Sequence, residues 1–150
     1  MTSEKALNII AGLCSKKEYC SRDISEKLIR WELPEQEIAK IMQYLHQHKF
    51  IDDNRFARIY AEDKFKFNHW GKQNIALMLK QKGISPETIS EALKILDTQQ
   101  YHASCLELLK QKSKMLPADD FYKTKAKLIR FALGRGFDYD TINTCLEQLL

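Results

Sequence analysis

At 150 residues the chain can form one large domain or a row of small units, but hardly two large independent domains. Its 44% hydrophobic and 29% charged residues exclude a disordered or membrane-embedded protein, and its net charge of +4 is modest. Five glycines and three prolines, beside abundant Leu, Ile, Lys, Glu, Ala and Gln, point to a chain that is mostly helix.

In chain order, the first predicted element is a helix over about 3–14, with Ala6, Leu7, Ile10, Leu13 and Cys14 at helical spacing. Its "LNIIAGLC" is the length of a signal-peptide core, but the only upstream lysine sits beside Glu4. The expectation is therefore a cytoplasmic protein with no membrane partner. A second helix carries Ile24 and Leu28 on one face. It is expected to stop before Leu33 with Pro34 alone supplying the break. Ile38, Met42 and Leu45 mark a third.

The stretch "FIDDNRFARIYAEDK" opens the next group. Asp52 and Asp53 stand where carboxylates cap the free N–H groups of a helix start, and Phe56, Ala57, Tyr60 and Ala61 form its apolar stripe. Arg55 is expected to tie back to a carboxylate or a helix end. The cluster thus reads as structural and not as a catalytic or metal site. A helix bearing Ile75 and Leu79 follows, ended by Gly83, and Ser85 and Pro86 start another with Ile89, Leu93 and Leu96. A helix over about 100–114 leads to one with Leu128 and Ala132, ended by Gly136. Asp138 then caps the last, with Ile142, Leu146 and Leu149.

These positions repeat. Ile24, Leu28, Leu33, Ile38, Met42 and Leu45 fall on Ile75, Leu79, Ile84, Ile89, Leu93 and Leu96 at an offset of 51. A further shift of 53 gives Leu128, Ala132, Phe137, Ile142, Leu146 and Leu149. The expected fold is all-α: three tandem three-helix repeats (1–49, 50–99 and 100–150) stacked into an elongated, curved, monomeric array.

No phosphate-cradling, dinucleotide-binding, nucleophile-elbow or His–carboxylate metal motif is present. Cys14, Cys20, Cys105 and Cys145 include no C-x-x-C pair and read as small buried hydrophobes. His102 and Cys105 are spaced as half a metal site without a second half, so no metal, cofactor or catalytic residue is expected. Charge is uneven, however. Residues 64–86 hold five lysines (Lys64, Lys66, Lys72, Lys80, Lys82) and no acid, interleaved with Phe65, Phe67 and Trp70. Lys123, Lys127 and Arg130 share one helical face in a second basic stretch. Both clusters suit an anionic partner, a phosphate backbone or an acidic protein groove.

"FIDDNRFARIYAEDK" followed by "WGKQNIALMLKQKGIS" resembles the RecX family, bacterial regulators of the RecA recombinase. "YCSRDISEKL" and "GRGFDYDTI" are similar to the family's first- and third-unit patterns. Trp31-Glu32, where the family has Lys-Gly, and Gly134 depart from it. The resemblance implies a protein of three-helix repeats, without catalytic residues, that lies in the groove of the RecA–DNA filament and bridges protomers. It also implies suppression of filament growth, ATP hydrolysis and strand exchange, within DNA repair, recombination and the SOS response. Some members bind single- or double-stranded DNA, and a stand-alone nucleic-acid-binding helical module is the alternative reading.

Overall fold

A computed structural model describes all 150 residues. Nine α-helices and no strand follow one another: α1 (Ser3–Cys14), α2 (Ser21–Arg30), α3 (Glu35–Gln47), α4 (Asp53–Asn68), α5 (Lys72–Gln81), α6 (Pro86–Lys94), α7 (Thr98–Met115), α8 (Phe121–Gly134) and α9 (Tyr139–Leu149). The repeated apolar positions account for the packing. Ile24, Leu28, Ile75, Leu79, Leu128 and Ala132, which hold equivalent places in the second helix of each group, are all fully buried. Within each group the helices pack on one another: α1 and α2 on α3, α4 and α5 on α6, α7 and α8 on α9.

The accessible surface is 9467 Å². A compact monomer of 17.6 kDa would expose roughly 7,900 Å² by the size scaling of globular proteins. The excess reflects an elongated stack with small cores. A cluster of 7 buried residues lies within α1–α3 and the following Ile51, whereas 21 buried residues form one continuous core through α4–α9 that also takes in Cys20. Phe50 and Ile51, in the turn before α4, pack with the first core.

The stop between second and third helices has one geometry in all three groups. A residue with positive φ follows the second helix, and the next amide reaches back to a carbonyl in the helix. Ile84 N–H bonds Leu79 O at 3.1 Å, Phe137 N–H bonds Ala132 O at 3.2 Å, and Leu33 N–H bonds Leu28 O at 3.4 Å. Glycine holds the left-handed position twice, Gly83 at φ 80° and Gly136 at φ 94°, but Glu32 holds it in the first unit at φ 60°. Pro34 is therefore not the sole stop. It follows a complete left-handed helix end built on a residue that disfavours it.

Glu32 is exposed, so its replacement removes backbone strain with little else. Glu32→Gly should raise stability by about 0.5–1 kcal/mol, the relief of left-handed strain less glycine's extra freedom in the unfolded chain. In a chain of this size that is roughly 2–4 °C in thermal midpoint, and Glu32→Ala should show no gain. A lower midpoint for the glycine variant would mean that Glu32 makes a contact this geometry lacks.

Six helices carry a side-chain N-cap of their own, and two of the capping carboxylates show its electrostatic effect. Asp52 sits below the usual aspartate range, chiefly because its carboxylate accepts the Arg55 N–H. Asp138 is also lowered: burial works against this, but the Thr141 N–H and hydroxyl outweigh it. Because both are lowered in the folded state, the unfolded chain binds more protons in the window below the ordinary aspartate value of about 3.9. Stability measured by denaturant titration should be flat above that value and fall as pH descends through it. Asp52→Asn with Asp138→Asn should reduce the slope.

Candidate partner-binding surface

Some of the side chains singled out in the sequence, among them Asp53, Arg55, Phe56, Lys72, Lys82 and Gly136, meet at two joints between successive units. Both joints are built the same way, from the N-terminus of one unit's second helix and the turn that ends the next unit's second helix. At the joint between units two and three, Gly71 N–H bonds Arg135 O at 2.7 Å and Gln73 N–H bonds Gly136 O at 3.1 Å. Asn74 Nδ2 donates to Gly134 O at 3.1 Å, and Lys72 N–H donates to the Tyr101 hydroxyl at 2.9 Å. The backbones touch: a Cβ on Gly71 would collide with the Gly136 carbonyl group, and one on Gly136 would lie 2.5 Å from Asn74 N. Phe65, Tyr101 and Phe137 stack behind this contact, with centroids 5.8 and 5.0 Å apart. Burial there pushes the Tyr101 phenol up to about 12.

At the joint between units one and two, Cys20 stands where Gly71 stands, and side chains replace the backbone bonds. Ser21 N–H donates to Asp53 Oδ1 at 2.8 Å, Arg22 Nη1 donates to Gln81 O at 2.5 Å, and Lys82 Nζ lies 3.6 Å from Asp23 Oδ1. Arg55 Nε donates to Glu18 Oε1 at 2.8 Å and Arg55 Nη2 to Phe50 O at 3.3 Å. Asp52 caps its own helix. Asp53 does not: it reaches out of α4 to cap α2 of the preceding unit. Phe56 is buried beneath the joint, and desolvation pushes the Cys20 thiol up to about 11.

A cleft of about 480 Å³ lies over this joint, lined by Lys17 and Glu18 from the first unit, Phe56, Ile59, Tyr60, Asp63 and Lys64 from α4, and Asp23 with Lys82 below. It continues past Tyr19 to Lys27 and Arg30. The cations sit on aromatic faces: Lys64 Nζ is 5.5 Å from the Tyr60 ring centre and 5.1 Å from that of Trp70, and Lys17 is 4.9 Å from that of Tyr19. With Asp23 facing Lys82, Glu18 bonded to Arg55 and Glu26 3.9 Å from Arg22, the cations Lys17, Lys27, Arg30 and Lys64 stand beside one unpaired carboxylate, Asp63, and leave a net positive surface for an anionic partner.

The structure disperses the other candidates. Lys72 lies 5.0 Å over the Tyr101 ring at the second joint. Lys66 borders a separate hollow near His69, and Lys80 is exposed on α5. Trp70 packs half-buried against the main core. Lys123 is exposed and Arg130 is exposed, but Lys127 Nζ pairs with Asp119 Oδ2 at 3.6 Å, so that face carries less free charge than its spacing implies. Gly83 shapes its turn without crowding, since a Cβ there would clear Arg22 by 3.6 Å. Lys17, Tyr19, Lys27 and Arg30 were not singled out from sequence. Lys17 and Tyr19 have a local signal in the "SKKEY" run, which gains meaning through α4, some forty residues away; Lys27 and Arg30 have none beyond their place at the end of α2.

Gly136→Ala should cost on the order of 3 kcal/mol, since it combines left-handed strain with a backbone clash. Gly83→Ala, facing strain alone, should cost about 1–2 kcal/mol. Equal losses in urea titration would show that the Gly71–Gly136 contact is less tight than described.

The profiles of RecX, second three-helix domain, and RecX, third three-helix domain, match residues 52–93 and 99–146. A Regulatory protein RecX of Prosthecochloris aestuarii is 30% identical over 148 residues, covering 99% of this chain and 95% of that protein. A Regulatory protein RecX of Clostridium botulinum (strain Eklund 17B) is 32% identical over 131 residues, and this chain spans 61% of its length. The crystal structure of RecX from Lactobacillus salivarius superposes with a TM-score of 0.90 at 22% identity, over 98% of this chain and 96% of that one, which establishes the shared fold.

Proposed function

Since the chain belongs to the RecX family of regulatory proteins, we propose that it regulates the RecA recombinase, chiefly as an inhibitor, by lying along the groove of the RecA–DNA filament. There it bridges protomers and suppresses filament growth, ATP hydrolysis and strand exchange. The observation that carries this reading is the likeness to a regulatory protein over almost the whole chain. The geometry supports it. An elongated stack of three units (1–49, 50–99 and 100–150) presents a long surface, and the lysine–aromatic cleft opens at the first joint. The protein acts as a monomer in the cytoplasm, by binding and without chemistry of its own. No group of His, Cys, Asp or Glu is placed to hold a metal, and no helix is long and apolar enough to cross a membrane.

Binding uses charge at two places. Lys17, Lys27 and Lys64 line the cleft and its extension, and Lys123 with Arg130 extends the basic surface onto α8. The test is RecA's single-stranded-DNA-dependent ATPase, measured with and without the protein. The rate should fall as the protein is added. Lys17→Ala/Lys27→Ala/Lys64→Ala should weaken inhibition about tenfold or more in a protein whose helical circular dichroism is unchanged, a control that matters because Lys17 is exposed but Lys27 and Lys64 are half-buried. The dependence of log affinity on log salt should flatten by about one for each phosphate no longer neutralised. Lys123→Ala/Arg130→Ala should have a smaller effect of the same kind. An unchanged ATPase at saturating protein would sink the regulatory reading. Flattening on naked single-stranded DNA with inhibition intact would favour the stand-alone nucleic-acid-binding module.

A further inference from the structure

The two joints occupy equivalent places in the repeat, so their differences have mechanical meaning. At the second joint, backbone amides bond backbone carbonyls across the interface, Gly71 and Gly136 meet in direct contact, and a row of aromatic rings backs them. Helix α4 also packs on α7, and one apolar core of 21 buried residues runs through both units. Rotation there would break short backbone bonds and expose core. At the first joint the apolar contribution narrows to Cys20, whose Sγ lies 3.9 Å from Lys82 O, and the first unit keeps its own core of 7 buried residues. The rest is ionic or charge-assisted: Asp53 to the Ser21 amide, Arg22 to Gln81 O, Asp23 with Lys82, Glu18 with Arg55. Asp23, Lys82, Glu18 and Arg55 are about 26–31% exposed, within reach of salt. One oxygen of Glu18 is buried without a hydrogen-bond partner, so this joint is not fully satisfied as it stands.

We infer that the first joint is a salt-sensitive hinge, about which α1–α3 swings as one arm against a rigid body formed by α4–α9. Its rotation opens and closes the cleft over the joint, because Lys17 and Glu18 line that cleft from the arm and Ile59, Tyr60 and Lys64 line it from the body. Cleft width and arm angle are therefore one variable. A partner gripping both walls fixes the angle, and the angle in turn sets how well the cleft grips. The inference stands on the contacts of the two joints, so its failure would leave the proposed regulation of RecA untouched.

The test is pulsed dipolar spectroscopy on the full chain carrying nitroxide labels at exposed helical positions. One pair, Gln43→Cys with Ser90→Cys, spans the first joint; the other, Ser90→Cys with Gln148→Cys, spans the second. Cys14→Ser removes the one native thiol that is not buried. At low salt the first distance distribution should be the broader. At about 1 M salt, where the screening length falls to about 3 Å, it should widen by roughly half again while the second stays unchanged. Asp23→Ala/Lys82→Ala should give the high-salt width already at low salt, and the exchanged pair Asp23→Lys/Lys82→Asp should restore the narrower one. In amide exchange, salt should speed Ser21 about tenfold and leave Gly71 and Gln73 within about twofold. Equal widths across both joints, or a first joint indifferent to salt, would overturn the hinge. Broadening of both joints together would overturn the rigid body, and failure of the exchanged pair to restore the width would remove the ionic pair from the mechanism.

Discussion

The stack depends on how the second helix of each unit begins. A helix start leaves backbone N–H groups without partners, and a side chain just before the first turn normally satisfies one of them. α2 and α5 have no such side chain: Cys20 and Gly71 occupy their cap positions, and neither makes a side-chain cap bond. Their first amides are satisfied from the next unit instead, Ser21 by the Asp53 carboxylate and Lys72 by the Tyr101 hydroxyl. α8, the equivalent helix of the third unit, carries its own cap in Asp120. An unmet backbone need in one unit is thus the docking instruction for its neighbour, and it specifies both position and direction.

Given that shared device, the residue at the cap position decides how closely the units approach. Gly71 has no Cβ, so the turn at Gly136 can press against it and exchange backbone bonds. With a thiol at the same place the turn at Gly83 stays further off, and longer side chains (Arg22, Asp23, Lys82) bridge the remaining distance. The demands on the two turn glycines differ accordingly. Gly136 needs both its left-handed backbone and its lack of volume, whereas Gly83 needs the backbone alone. Glu32 needs only the backbone too, and being exposed it tolerates a residue other than glycine at the cost of strain.

This division explains what could be read from the sequence. The helices and their stacking were legible because the apolar positions recur at fixed offsets, and burial of an apolar stripe is a local pattern. Asp52 as a cap was legible for the same reason. Asp53 was not: a carboxylate in the first turn reads as serving its own helix, and only the joint shows that it serves α2. The helix end at Glu32 was not legible: propensity argues against a left-handed glutamate and leaves Pro34 as the only stop signal, yet the Leu33 amide bonds Leu28 O around just such a residue. The cleft was half visible. Lys64 and Lys82 lie in a conspicuous run, but Lys17 and Tyr19 lie in another unit, and no spacing rule connects residues that meet across a joint.

The direction of capping also sets an order of dependence. Unit one leans on unit two for the start of α2, unit two leans on unit three for α5, and α8 leans on no neighbour for its cap. In a linear stack, stability is a sum of each unit's own folding and its nearest-neighbour terms. A core of 7 buried residues is little for three helices to hold alone, so the first unit draws proportionally more on its interface than the other two, which share 21. That interface is also the ionic one. The part of the array most dependent on its neighbour is thus held by the contacts most open to solvent and to a partner's charges. An array built this way pairs six helices that share one continuous core with a three-helix unit held by contacts that solvent reaches.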